Sequence, residues 1–88
     1  MVLKKNFEIV DMVGEHMVVP LGKEVTSFSG IVALSEASAF LLKSMETGKT
    51  EDELVDILID EFNVEPTVAR ADISEFLNKM IEMGVIEQ

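Results

Sequence analysis

The residues of this 88-residue chain whose types could do chemistry are one histidine, His16, and a run of carboxylates between Asp52 and Glu61. His16 stands in a short β-prone run, and acid–base work there would need a nucleophile or proton partner that no spacing supplies. It reads as a surface or half-buried strand residue. Asp52, Glu53, Asp56, Asp60 and Glu61 fall into i,i+4 pairs that could attract Ca²⁺ or Mg²⁺ weakly. They lack the twelve-residue calcium loop and read as a solvated helix face. Gly14, Gly22, Gly30 and Gly48 are too dispersed to cradle a phosphate, and no HExxH, CxxC, GxSxG or Walker pattern occurs. Cysteine is absent, which removes disulfides and thiolate metal sites. The sequence therefore nominates no catalytic residue, no metal ligand set and no cofactor. A module that binds, rather than an enzyme, is the expectation.

The elements that would present a binding surface are better marked. Phe7–Val10 and Met17–Val19 are β-prone runs on either side of Val13-Gly14-Glu15, where Gly14 can supply a hairpin turn. Pro20, lacking an amide donor, belongs at a strand end or edge. A second turn at Leu21-Gly22-Lys23 leads into Val25–Phe28 and Ile31–Leu34, with Gly30 as a bend between them. That stretch is either one interrupted third strand or a loop followed by a short strand.

Three amphipathic helices follow. Ser35 can cap a first helix over about Glu36–Glu46, with Ala37, Phe40, Leu41 and Met45 as its apolar stripe and Gly48 beyond its end. Thr50-Glu51-Asp52-Glu53 has the form of a capping box. The helix it opens carries Leu54, Val55, Ile57, Leu58, Ile59 and Phe62 over a broad arc, which suits an element wedged between two others. Pro66 suits the first turn of a third helix that runs to about Met83, with Gly84 as its left-handed exit. Ala69, Ile73, Phe76, Leu77, Met80, Ile81 and Met83 share one side of that helix. Asp72, Glu75, Asn78, Lys79 and Glu82 are placed on the opposite, solvent side. An apolar arc this wide need not be consumed by two short neighbours, and its flank could line a groove. The fold class is α+β: short N-terminal β segments, then three α-helices, in one domain spanning residues 1–88.

Charge narrows the partners. The net charge is −10, from 7 basic and 17 acidic groups, and residues 49–88 hold 11 of the acids with only 3 of the bases. Nucleic acid would meet that field without a basic stripe to release its counterions. Apolar residues make up 48% of the chain, enough for a modest core, yet no apolar run is long enough to span a membrane. Cytoplasmic residence is the default expectation.

In order and spacing the chain resembles the PqqD-like family, the small peptide chaperones of pyrroloquinoline quinone biosynthesis and related precursor-recognition domains. Carrying the resemblance are Val18-Val19-Pro20-Leu21-Gly22, Leu34-Ser35-Glu36 and Gly48-Lys49-Thr50-Glu51-Asp52-Glu53-Leu54, followed by Val64-Glu65-Pro66-Thr67, Ala71-Asp72-Ile73-Ser74-Glu75-Phe76-Leu77 and Gly84-Val85-Ile86. Where the family commonly has Leu-Asn-Glu before its first helix, serine replaces asparagine and caps as well. The resemblance implies a winged-helix-like fold that captures the leader of a ribosomally made precursor peptide and presents it to a modifying enzyme, often a radical S-adenosylmethionine protein. It places the peptide between a strand wall of Phe28, Ser29, Gly30, Ile31, Val32, Ala33 and Leu34 and a helix wall. Ala69, Asp72, Ile73, Phe76 and Met80 make up the latter. Two alternatives remain at this level. One is a winged-helix transcriptional regulator, which would need basic or amide residues on the third helix. The other is a structural domain burying the same edge in a homodimer.

Overall fold

A computed structural model of the chain describes residues 1–21 and 32–88. Strand β1 is Val2–Leu3, β2 is Phe7–Met12, β3 is Glu15–Pro20 and β4 is Val32–Leu34. Helices α1 (Glu36–Ser44), α2 (Glu51–Phe62) and α3 (Pro66–Glu82) follow, and β5 (Ile86–Glu87) closes the order. The expected succession of antiparallel strands and then three helices is the one observed. Val25–Phe28 and Gly30 lie outside the described residues, as does Ile31.

β2 and β3 pair antiparallel from Phe7↔Pro20 to Met12↔Glu15. Their connection is Val13 (φ +44°) and Gly14 (φ +79°), the two positive φ values that a two-residue hairpin turn needs to match strand twist. Glycine adopts this conformation freely; valine does not. β3 continues the sheet onto β4 through His16↔Leu34, Met17↔Ala33 and Val18↔Val32. Because side chains alternate along a strand, the pairing creates rows. Ile9, Val18 and Val32 face the helices and belong to or pack on the core. Ala33 lies one residue off that row and is exposed, while Val32 and Leu34 return to the core side.

Each helix starts and stops where its chemistry directs. The Ser35 hydroxyl accepts from the Ser38 amide at 3.1 Å and opens α1. In α2 the capping box is complete: the Glu53 amide donates to Thr50 Oγ1 at 3.1 Å, and the Thr50 amide donates to Glu53 Oε1 at 2.8 Å. Asn63, in the left-handed conformation, ends α2. Pro66 occupies the first turn of α3, and Gly84 at φ +77° leads out of it, with the Val85 amide donating to the Met80 carbonyl at 3.0 Å.

The core sits between the sheet and the three helices. Val18, Leu42, Met45, Leu54, Ile73 and Val85 are its largest fully enclosed side chains. Leu54, Leu58, Ile73 and Leu77 share it as the helical spacing predicts, and Phe62 packs on its margin. There the Phe62 ring meets Phe40 edge-on with centroids 5.7 Å apart, joining α1 to the end of α2. β1 and β5, which no sequence signal marks, pair antiparallel as a second, two-stranded sheet. The Leu3 amide donates to the Met45 carbonyl at 2.8 Å and Lys4 to Val85 at 3.0 Å, so this ribbon ties the end of α1 to the exit of α3.

Candidate functional site

β4 is the last strand of its sheet, and among the described residues nothing pairs with its outer edge. Next to that edge lies an open groove of about 500 Å³. Val32, Ala33 and Leu34 form its strand wall. Ser35, Ala37, Ser38 and Leu41 come from the start of α1, Leu58 and Phe62 from α2, and Val64 from the link to α3. Asp72, Glu75, Phe76, Lys79 and Met80 form the wall on α3. Phe76 and Met80 are largely enclosed and make apolar floor, whereas Asp72, Glu75 and Lys79 are exposed along the rim.

The expected site residues separate accordingly. Val32, Ala33, Leu34, Asp72, Phe76 and Met80 are brought together around the groove. Phe28, Ser29, Gly30 and Ile31 lie outside the described residues. Ala69 and Ile73 do not line the groove: both are fully enclosed in the core, because α3 turns that stretch of its apolar arc onto the other helices. The solvent side expected of α3 is the one observed, since Asp72, Glu75, Asn78, Lys79 and Glu82 are all exposed. Of these, Asp72, Glu75 and Lys79, three and four residues apart along one flank of the helix, also border the groove. The groove residues on α1 and α2 were absent from the expected set. For Leu58 and Phe62 the signal was present in the breadth of the apolar arc on α2.

The groove offers an apolar floor beside the outer edge of β4. Among the described residues no group of three or more His, Asp or Glu side chains could hold a metal ion. His16 is partly covered, with Nδ1 2.7 Å from Asp11 Oδ1, and Lys43 Nζ donates to the other Asp11 oxygen. Together they join the hairpin to α1 away from the groove. Hydrogen bonding to His16, then to Lys43, holds the Asp11 carboxyl below the usual carboxylate range. The Thr50 amide does the same for Glu53 in the cap of α2. Arg70 donates to Asp52 at 2.8 Å and to Glu51 at 3.4 Å, which raises its already high proton affinity while binding α3 to the first turn of α2. Each of these charged contacts holds elements together on an exposed surface.

Two solved structures share this architecture. "TbiB1 in Complex with the TbiA(beta) Leader Peptide" superposes with a TM-score of 0.77 at 19% identity, over 99% of this chain and 95% of that one. "Lasso peptide synthetase B1 complexed with the leader peptide" gives 0.74 at 20% identity, over 98% and 95%. At such identities the likeness is one of fold. Among curated proteins a sequence search finds no match. The family model for coenzyme PQQ synthesis protein D matches residues 9–86, from the first hairpin strand to β5. With that match over most of its length, the chain belongs to the PqqD family.

Proposed function

We propose that this protein binds the leader segment of a ribosomally synthesised precursor peptide and presents it to a modifying enzyme. A radical S-adenosylmethionine protein is the enzyme class proposed, and pyrroloquinoline quinone biosynthesis or a related peptide pathway is the setting. The observation that carries the reading is the juxtaposition of an edge strand with an apolar groove. An extended peptide can donate to and accept from the outer edge of β4 while every second side chain enters the groove. Backbone pairing supplies affinity without a particular sequence, and the floor at Leu41, Leu58, Phe76 and Met80 selects for apolar anchors. No nucleophile, base or metal is needed. Family membership supports the reading, and both similar structures are described as leader-peptide complexes. The regulator alternative finds little support, because α3 presents Asp72, Glu75 and Glu82 with Lys79, the wrong balance for a phosphate backbone.

Strand addition has a direct test. A fluorescently labelled leader from the precursor encoded beside the gene should raise its anisotropy on binding. Methylating alternate peptide amides, which removes donors but leaves side chains intact, should abolish the signal. Ser38→Phe, which fills the groove from α1, should do the same without unfolding the protein. Equal binding of the methylated leader would overturn strand addition. A dimer that buries β4 and excludes every leader would favour the structural alternative.

A further inference from the structure

The groove is apolar in its floor but not along its α3 rim. Asp72, Glu75 and Lys79 succeed one another at i, i+3 and i+7, a stripe within roughly 60° of helical arc. None of the three makes an ion pair or side-chain hydrogen bond with another described residue. Elsewhere a few charges join elements, Asp11 with Lys43 and Arg70 with Glu51 and Asp52; the α3 stripe is set apart by its place along the groove. Over the groove, two carboxylates and then an ammonium stand in sequence, with no partner among the described residues.

Resting on the reading of this groove as a peptide site, we propose that the α3 stripe selects leaders by charge order. The ligand class is an extended peptide with a Lys or Arg beside Asp72 and Glu75, an Asp or Glu beside Lys79, and an apolar anchor toward Phe76 and Met80. Helical rise sets the spacing. Glu75 and Lys79 are about 6 Å apart along the axis, and Asp72 and Lys79 about 10.5 Å. Side chains on one face of a strand recur about every 6.6 Å. The two peptide charges therefore sit two or four residues apart on the same face, in the order that matches α3. Their long aliphatic stems cover the rim while their heads meet the helix charges. This differs from what net charge alone suggests. A protein at −10 attracts cations everywhere, yet Lys79 requires an acidic residue at one defined place. The global field steers the encounter, and the local order fixes register and direction, which strand pairing alone leaves free.

A displayed library of randomised twelve-residue peptides, selected against the immobilised protein, tests the inference without knowledge of the natural leader. Peptides retained by the wild type should share a base and an acid two or four residues apart on one strand face, with an apolar residue on that same face. The triple reversal Asp72→Lys, Glu75→Lys, Lys79→Glu should select the opposite order. All three side chains are exposed, so the fold should survive, as a thermal melt would verify. By anisotropy, Lys79→Glu alone should weaken the wild-type consensus about fivefold, an effect that added salt should diminish. Selected peptides that shift groove amides but show no charge order, or an order that the triple reversal leaves unchanged, would overturn the charge inference and leave leader binding intact. If no peptide engages the groove, leader binding and its charge code both fall.

Discussion

Val13 is the residue whose conformation least suits its type. A β-branched side chain at φ +44° in a hairpin turn is strained, and the side chain is fully exposed, so no packing offsets the cost. Val13→Asn, which tolerates that backbone and favours the turn, should raise stability by about 1 kcal/mol in urea denaturation. Gly84 presents the inverse case. A Cβ added there meets nothing within 4 Å, so the penalty of Gly84→Ala comes from its φ of +77° alone. About 1 kcal/mol of lost stability is expected. The capping carboxylate adds a pH dependence of definite sign. The Thr50 amide stabilises ionised Glu53 in the folded state, holding its carboxyl below the value it has unfolded. Its contribution is present above the unfolded value and is lost as pH falls through the folded one. A chemical-shift titration should place Glu53 below a free glutamate, and Thr50→Ala, which removes the hydroxyl but keeps the backbone amide, should cost about 1 kcal/mol while leaving most of that depression in place.

At the scale of elements, α2 is the wedge. Leu54, Val55 and Leu58 are buried, and Leu54 is fully enclosed among the other helices. Leu54→Ala should cost about 2–5 kcal/mol in reversible denaturation; a cost near zero would mean that the helix is misoriented. The three helices were legible in the sequence because their start signals agree with the apolar spacing: Ser35, the Thr50–Glu53 box and Pro66 open them, and Gly84 leads out of α3. The ends of α1 and α2 were less legible, since α1 stops at Ser44, short of Glu46, and α2 closes on left-handed Asn63. The β1–β5 ribbon was not legible. Strands of two residues are too short to display alternation, and their pairing joins opposite ends of the chain. The groove was half legible. Periodicity divides α3 into apolar and polar sides but does not say where a neighbouring strand edge will cut across them. Hence Ala69 and Ile73 went to the core, and Glu75 and Lys79 came to the rim.

Taken whole, the molecule sets the outer edge of β4 beside an apolar groove and carries an acidic surface in a chain of 88 residues. None of its helices, among the described residues, is long and apolar enough to cross a membrane. Its net charge of −10 should keep duplex DNA or RNA from binding even at low ionic strength, where cationic contacts would be strongest. Specific binding that weakens steeply with salt would instead require a basic surface built by a partner. In the proposed mode of binding, β4 accepts a leader peptide as an added strand. Amide hydrogen exchange and chemical-shift mapping of the labelled protein, titrated with leader segments of any precursor peptides encoded near its gene, provide the test. Slowed exchange is expected at Val32–Leu34 together with shifts at Asp72, Phe76, Lys79 and Met80, with little change in the β1–β5 ribbon. Leader binding that leaves the β4 amides unprotected, or that shifts only residues remote from the groove, would contradict it.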